Sequence, residues 1–451
     1  MVLKNNTFKI QLFITCVTYF LLHIPFLFHG YGVEEDSWGL VVNAKEMFEA
    51  NSYVASRLPG HPVHEYILLW LYPFTPFKYN VFSALAASIA VFISALLFKK
   101  LNVSMPLLAA LALGFCPVFF IAGTYTIDYT LSLMLLLFSW YLLTENKIYL
   151  AAIVLSLSIG ARITNAAMLL PMIFYIGFNK ENRIEIIKLT VVTVLLSVLL
   201  FVPAMSKYGM AFFDYTDQFP YPNLPKFMYK ATLGVFGLIG CMALLLIFIN
   251  KYRTDNKVPL YVYISIAITI LAYIKLPQKS AYLIPIIPFL IILFSIRLNK
   301  RAFTIFCISF IISGWVFGIN LIDKSRGSET KSSSSTVIAG QEIAFTPFTG
   351  NIIGDYTKRE IKNKYVQNIL VKTDTINKPT AIISGWWYNQ LLIESLNHAK
   401  NLNVKFVFYC DSDSIQKMKN NNLDIYYLEE QDIYNDLLFN MQKTKLVAES
   451  F

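Results

Sequence analysis

Between its first apolar run and the next, the chain carries Glu34, Glu35 and Asp36 in succession, followed by Arg57, His61, His64 and Glu65. Acid, base and imidazole are the side chains that move protons. Almost everything else before residue 320 is apolar enough to lie in lipid, where ionisable groups are costly and mark functional sites. The first outer loop, residues 29–78, is therefore where the chemistry is expected.

That loop must be positioned by membrane helices. Of 451 residues, 56% are hydrophobic and only 15% charged, and the mean hydropathy is +0.53. This balance is too apolar for a soluble globule of such size and predicts a polytopic α-helical membrane protein. Apolar runs near 8–28, 79–98, 105–121, 124–143, 186–205, 231–249, 258–274, 281–296 and 303–320 approach the roughly 20 residues that cross a bilayer. Two shorter runs share residues 148–178, which makes about eleven spans. The first run is long and lacks a small-residue cleavage site, so it reads as a retained span.

Lys and Arg near span ends are retained on the cytoplasmic side. With the N-terminus inside, the inner loops are rich in Lys and Arg, among them Lys99, Lys100, Lys180, Arg183, Lys300 and Arg301, whereas the outer loops are nearly balanced. The Asp36 loop and the C-terminal tail then face outward. The net charge of +10 is topological, because residues 321–451 hold 15 basic and 15 acidic residues. No basic stripe of the kind a nucleic-acid backbone requires is present in the sequence. Cys16, Cys116, Cys241 and Cys307 fall in predicted spans and Cys410 stands alone in the tail, which gives neither a disulfide framework nor a metal-ligand spacing.

Three parts follow: a membrane domain over 1–322, a Ser-rich linker over 323–336, and a small extracytoplasmic α/β domain over 337–451. In the last part, residues 381–384, 404–409 and 424–428 read as strands, the first two of them buried. Helical stretches are expected near 387–399 and 431–441. The sequence has no Gly-rich phosphate loop and no fixed-period repeat.

Within the first outer loop, Trp38, Val41, Val42 and Met47 would form the apolar stripe of a short helix lying on the membrane, with Asp36 at its N-cap. A capping role alone would account for Asp36 at about 1 kcal/mol. The pattern is more specific than that. An Asp opening such a helix, then Ala44, Tyr53 and Arg57-Leu58-Pro59-Gly60-His61-Pro62, resembles the GT-C superfamily of membrane glycosyltransferases, nearest the family 39 type that includes protein O-mannosyltransferases and aminoarabinose transferases. Residues 125–129, Gly160-Ala161-Arg162 and 279–288 are also similar to elements of that superfamily, so the resemblance spans residues 8–320.

The resemblance implies a GT-C fold and transfer of a sugar from a polyprenyl-phosphate carrier at the outer face. It makes Asp36 the catalytic base. The family's usual Asp-Glu order is replaced here by Glu34-Glu35-Asp36-Ser37, which leaves Glu35 as a second candidate. An attacking hydroxyl must lose a proton, which suits a carboxylate, and the departing phosphate needs a cation. Arg162 offers a bidentate fork and Lys279 a point charge. A single displacement inverts the anomeric carbon. Arg57, His61, His64, Glu65, Asp128, Tyr282, Asp214 and Asp217 complete the candidate substrate contacts.

Duller accounts exist for most of these. Arg162 and Lys279 would serve as snorkelling span ends, and Asp128 as a structural ion pair with Arg162. The loop holding Asp214 and Asp217 would equally make an interfacial aromatic belt. His61, His64 and Glu65 make a poor zinc site, since no further ligands are spaced to close a tetrahedron. Hydrogen bonds to sugar or phosphate suit them better. No cofactor is expected, although divalent-metal dependence varies across the superfamily and stays open. The expected partners are the polyprenyl-phosphate sugar, membrane lipid, and a glycan, lipid or protein acceptor. The expected location is a bacterial cell membrane. The rival readings are a transporter or flippase of lipid-linked glycan, and an inactive relative acting as a scaffold. Transporters place charge near the bilayer midplane, whereas these charges crowd the outer interface.

Overall fold

The computed structural model describes residues 2–73, 75–180, 183–213, 221–249, 256–321, 334–338, 341–396, 403–408, 412–428 and 449–450. Fifteen helices precede the first strand among these residues. They are α1 (Val2–His23), α2 (Glu35–Ala50), α3 (Pro62–Leu71), α4 (Pro76–Lys100), α5 (Pro106–Phe115), α6 (Pro117–Ala122), α7 (Tyr129–Thr144), α8 (Ile148–Ala161), α9 (Leu169–Lys180), α10 (Arg183–Tyr208), α11 (Leu224–Ala231), α12 (Leu233–Ile249), α13 (Leu260–Lys275), α14 (Ile286–Arg297) and α15 (Lys300–Ser313).

The helix α4 is the hub, packing on α1, α5 and α7. Its buried face is built from small residues, including Ala84, Ala87, Ala90, Ser94 and Ala95, which let neighbouring backbones approach closely. From there α7 packs on α8, α8 on α10, and α12 on α15, so one apolar core runs through the bundle. Three helices, Thr7–Phe26, Pro76–Lys100 and Arg183–Phe213, are long and apolar enough to cross a membrane, and α11 with α12 forms a fourth candidate bent by 69°. Most of the other expected spans appear as shorter apolar helices. Prolines and glycines cut them: Pro117 opens α6 directly after α5, and Gly237 takes a left-handed φ of +68° inside α12. The chain is an integral membrane protein.

The last expected span, 303–320, is helical only to Ser313. Residues 318–321 form a strand, β1 (Gly318–Leu321), which pairs antiparallel with β3 (Gln341–Thr346). The break follows Gly314 and the left-handed Phe317. The strand β2 (Ser334–Ile338) pairs with β3 in turn, so the end of the presumed Ser-rich linker is sheet, while residues 322–333 lie outside the described residues.

Next comes α16 (Asn351–Thr373), a long helix the sequence reading did not anticipate. The strands β4 (Thr380–Ile383), β5 (Val404–Val407) and β6 (Asp424–Tyr427) form a parallel sheet in the order β5-β4-β6, with β7 (Glu449–Ser450) beyond β6. These match the three expected strands within two residues. Only β4 is fully buried; β5 is half-buried because it is the sheet edge. The helices α17 (Tyr388–Ser395) and α18 (Ser412–Asn420) flank the sheet sequence, and the expected helix near 431–441 lies outside the described residues.

Candidate functional site

The loop over residues 29–78 folds back on itself before it meets the bundle. Glu65, fully buried on α3, accepts from the Tyr53 hydroxyl at 2.6 Å, the Ser56 amide at 2.8 Å, the Ser56 hydroxyl at 2.6 Å and the His61 amide at 3.0 Å. Two donors on each oxygen fill a carboxylate's capacity. Burial raises its pKa against these hydrogen bonds. Glu65, a candidate substrate contact from sequence, thus serves the loop itself and fixes the segment that carries Arg57 and His61.

Asp36 departs from its expected place. The N-cap is Glu34, in extended backbone at φ −84° and ψ 140°, and Asp36 is the second residue of α2. The apolar stripe also turns inward: Trp38, Val41, Val42, Ala44 and Met47 are buried in the protein core rather than laid on lipid. The Trp38 indole donates to the Gly32 carbonyl at 3.0 Å, which ties the start of α2 to the loop before it.

With α2 so placed, its first turn meets three other elements. The Asp36 carboxylate takes both Lys279 Nζ and Arg57 Nη1. Lys279 also pairs with Glu34 at 2.6 Å. Arg57 reaches onward to Asp128 Oδ1 at 3.0 Å, and Arg162 pairs with Asp128 Oδ2 at 2.7 Å. The result is an alternating ladder, Glu34, Lys279, Asp36, Arg57, Asp128, Arg162, drawn from the loop over residues 29–78, the start of α7, the end of α8 and the segment after α13. Three carboxylates face three cations.

Burial alone would raise the Asp36 carboxyl, but Arg57 and Lys279 outweigh it and hold it well below the usual carboxylate range. For Lys279, Asp36 and Glu34 likewise overcome burial and hold the ammonium well above its ordinary value. Asp128 is fully buried whereas Asp36 keeps 27% exposure and its neighbours Glu34 and Arg57 31% and 29%, so the ladder is partly exposed from Glu34 to Arg57 and closed at Asp128. Arg162 is held between two rings, 4.5 Å from the centre of Tyr129 and 4.7 Å from that of Tyr282.

His61 accepts from Arg57 Nε through Nε2 at 2.9 Å, which requires that nitrogen to be unprotonated. Burial lowers His61 to about 3 and His64 to about 4, so both imidazoles are neutral. Among the described residues, His61 Nδ1 and both His64 nitrogens find no hydrogen-bond partner, and all three are buried. Among the described residues no three His, Cys, Asp or Glu side chains converge as metal ligands.

The structure thus brings together Asp36, Arg57, His61, Asp128, Arg162, Lys279 and Tyr282. Asp214 and Asp217 lie outside the described residues. Glu35 turns away from the ladder: its Oε1 accepts from the Asn389 amide at 2.8 Å, and burial pushes it up to about 8 against the pull of Asn389 and Lys362. Glu34, noted in the sequence as one of three successive acids but given no role there, joins the ladder through Lys279. The sequence reading passed over the contacts from α16. Lys362 donates to the Val33 carbonyl at 2.7 Å, and the buried Arg359 donates to the Thr124 carbonyl at 3.0 Å.

No family model and no curated protein matches the sequence. The fold does match solved structures. ArnT from Cupriavidus metallidurans in the apo state superposes with a TM-score of 0.57 at 10% identity, covering 96% of this chain and 91% of that one. The same protein bound to undecaprenyl phosphate gives a TM-score of 0.56 at the same identity and coverage. At this identity the likeness is one of fold alone.

Proposed function

We propose that this protein is a glycosyltransferase that moves a sugar from a polyprenyl-phosphate carrier to an acceptor hydroxyl, inverting the anomeric carbon, with Asp36 as general base. The observation that carries this reading is the Asp36 carboxylate held between Lys279 and Arg57 in the partly exposed stretch of the charge ladder. In that resting arrangement Asp36 is a weak base. A phosphate arriving at Lys279 and Arg57 competes for both cations, withdraws their stabilisation, and raises the proton affinity of Asp36 where the acceptor hydroxyl must lose its proton.

The step balances simply. The acceptor oxygen bonds to the anomeric carbon and its proton passes to Asp36. The bond from that carbon to the phosphate oxygen breaks, and the electron pair leaves with polyprenyl phosphate. Lys279, Arg57 and Arg162 would neutralise that growing charge. His61 and His64, neutral and with open nitrogens, suit sugar hydroxyls, as would Asp214 and Asp217. The three cations supply the neutralisation themselves, so this reading calls for no metal ion.

In this reading the chain has about eleven spans with its N-terminus cytoplasmic. The ladder and the α/β domain after residue 337 lie at the extracytoplasmic face of a bacterial cell membrane, where ArnT bound to undecaprenyl phosphate supplies the precedent for a lipid-phosphate ligand on this fold. The test is transfer or release of labelled sugar from a panel of polyprenyl-phosphate sugars by purified protein in lipid. Asp36→Asn should lower turnover by about 10²- to 10⁴-fold while leaving the protein inserted and folded. An Asp36→Asn protein with wild-type turnover would remove Asp36 from this role.

A further inference from the structure

Glu35 and Asp36 are consecutive in α2, and consecutive helical residues point roughly 100° apart. Asp36 faces Lys279 and Arg57, whereas Glu35 faces α17. Asn389 is the second residue of α17, one of the positions whose amide has no partner within its own helix. That amide is directed to Glu35 Oε1 at 2.8 Å. On the same approach, Gly39 lies so close to α17 that a Cβ there would meet the Asn389 amide nitrogen Nδ2 at 3.0 Å.

From α16, Lys362 reaches the Val33 carbonyl while its ammonium sits 4.6 Å from the centre of the Trp387 ring. Two more bonds hold the neighbouring strands of loop: Arg359 donates to the Thr124 carbonyl, and Tyr356 meets His29 at 3.2 Å. The residues on either side of Glu34 are therefore gripped by side chains and backbone from more than 300 positions away.

We propose that Glu35 is a positioning residue, through which α16 and α17 hold the Glu34–Asp36 turn in register with Lys279 and Arg57, so that turnover depends on this C-terminal segment being docked. This rests on the reading of Asp36 as base. It assigns the two neighbouring acids opposite tasks, one toward substrate and one toward the C-terminal segment.

The test uses the full-length protein in lipid with Glu35→Gln, Glu35→Ala, Lys362→Met and Lys362→Arg. Gln keeps a carbonyl for the Asn389 amide, so Glu35→Gln should stay within a few-fold of wild type. Glu35→Ala and Lys362→Met should lower kcat about 10- to 100-fold with donor KM little changed, as expected for a misplaced group that binds nothing itself. Lys362→Arg should recover much of the loss. Hydrogen exchange supplies a readout that needs no donor: amides 33–38 should exchange faster in Glu35→Ala and Lys362→Met, with the melting temperature of the bundle little changed. If Glu35→Gln is as inactive as Asp36→Asn, Glu35 is itself a base and the proposal fails. If exchange at 33–38 is unchanged in both Glu35→Ala and Lys362→Met, it fails even where no donor is turned over. Faster exchange with no turnover of any donor by wild type would leave the docking intact and overturn the glycosyltransferase reading instead.

Discussion

Asp128 is the rung on which the ladder turns from its buried end toward its partly exposed stretch, and replacing it with Asn probes the ladder as a unit. Its side chain is fully buried, with one oxygen on Arg57 and the other on Arg162. At an effective dielectric near 20, each contact of this kind is worth about 4 kcal/mol of gross attraction. Asn removes both, and its NH₂ group opposes one guanidinium. Part of that loss is returned because a neutral amide is cheaper to bury than a carboxylate. Removing one partner from a buried pair usually costs a net 3–5 kcal/mol, and the fully buried position places Asp128→Asn toward the upper part of that range. Arg57 keeps 29% exposure and can re-solvate, whereas Arg162 at 10% cannot, so the damage should concentrate at Arg162.

The assay is thermal unfolding in detergent or lipid, alongside labelled-sugar transfer. Asp128→Asn should unfold at a distinctly lower temperature and lose most of its turnover. The double variant Asp128→Leu with Arg162→Met should be closer to wild type in stability than Asp128→Asn, because removing both charges leaves none stranded. An Asp128→Asn protein with wild-type melting and turnover within about two-fold would refute the ladder as the element that organises this site.

Other outcomes follow from the same geometry. Arg162→Lys loses the fork and the flat face held between Tyr129 and Tyr282, so its affinity for a polyprenyl phosphate should fall, and Tyr282→Leu should cost about 0.5–2 kcal/mol in the same binding titration. Glu65→Gln turns an amide toward donors that now point at carboxylate oxygens; at about 1–3 kcal/mol for each donor left unpaired it should destabilise the loop, read as a lower melting temperature and faster proteolysis near residues 53–61. Glu35 carries a pH signature. Its folded-state pKa of about 8 lies above the ordinary 4.5, so between those values the folded state holds the proton that the unfolded chain has lost, and this group's effect on stability worsens as pH rises. Permanently neutral Glu35→Gln should therefore gain melting temperature over wild type at pH 8 and little at pH 5. An equal difference at both values would count against the raised pKa.

Much of the site was legible because its chemistry is local in sequence. Asp36, Arg57 and His61 fall in one loop, and Arg162 stood out as a cation at the break between two short helices. The ion pair of Asp128 with Arg162, which the sequence offers as the duller structural account of Asp128, is present at 2.7 Å. What stayed hidden was long-range. Arg359 and Lys362 lie on a helix of mixed charge that reads as an ordinary solvated face, and nothing in their spacing signals carbonyl partners at Thr124 and Val33. The span count was hard for a related reason. Apolar composition reports that a segment prefers lipid or core, whereas Pro117 and Gly237 decide where its helix breaks, and hydropathy does not register them.

The hidden part changes how the legible part is understood. From sequence, the motif alignment favours Asp36 as base with Glu35 as second candidate, and Glu34 has no assigned role. In the fold the three diverge because helix geometry sends them to different neighbours. Glu34 shares Lys279, Asp36 bridges Lys279 to Arg57, and Glu35 meets the amide of Asn389. Of the three, only Asp36 touches two cations that a phosphate would also seek. It is thus the acid whose proton affinity a bound phosphate would raise most, since both cations that depress it would be drawn away together. A catalytic base that is weak until the donor's phosphate arrives would be idle without donor, and the ladder's equal count of acids and cations is what permits that coupling.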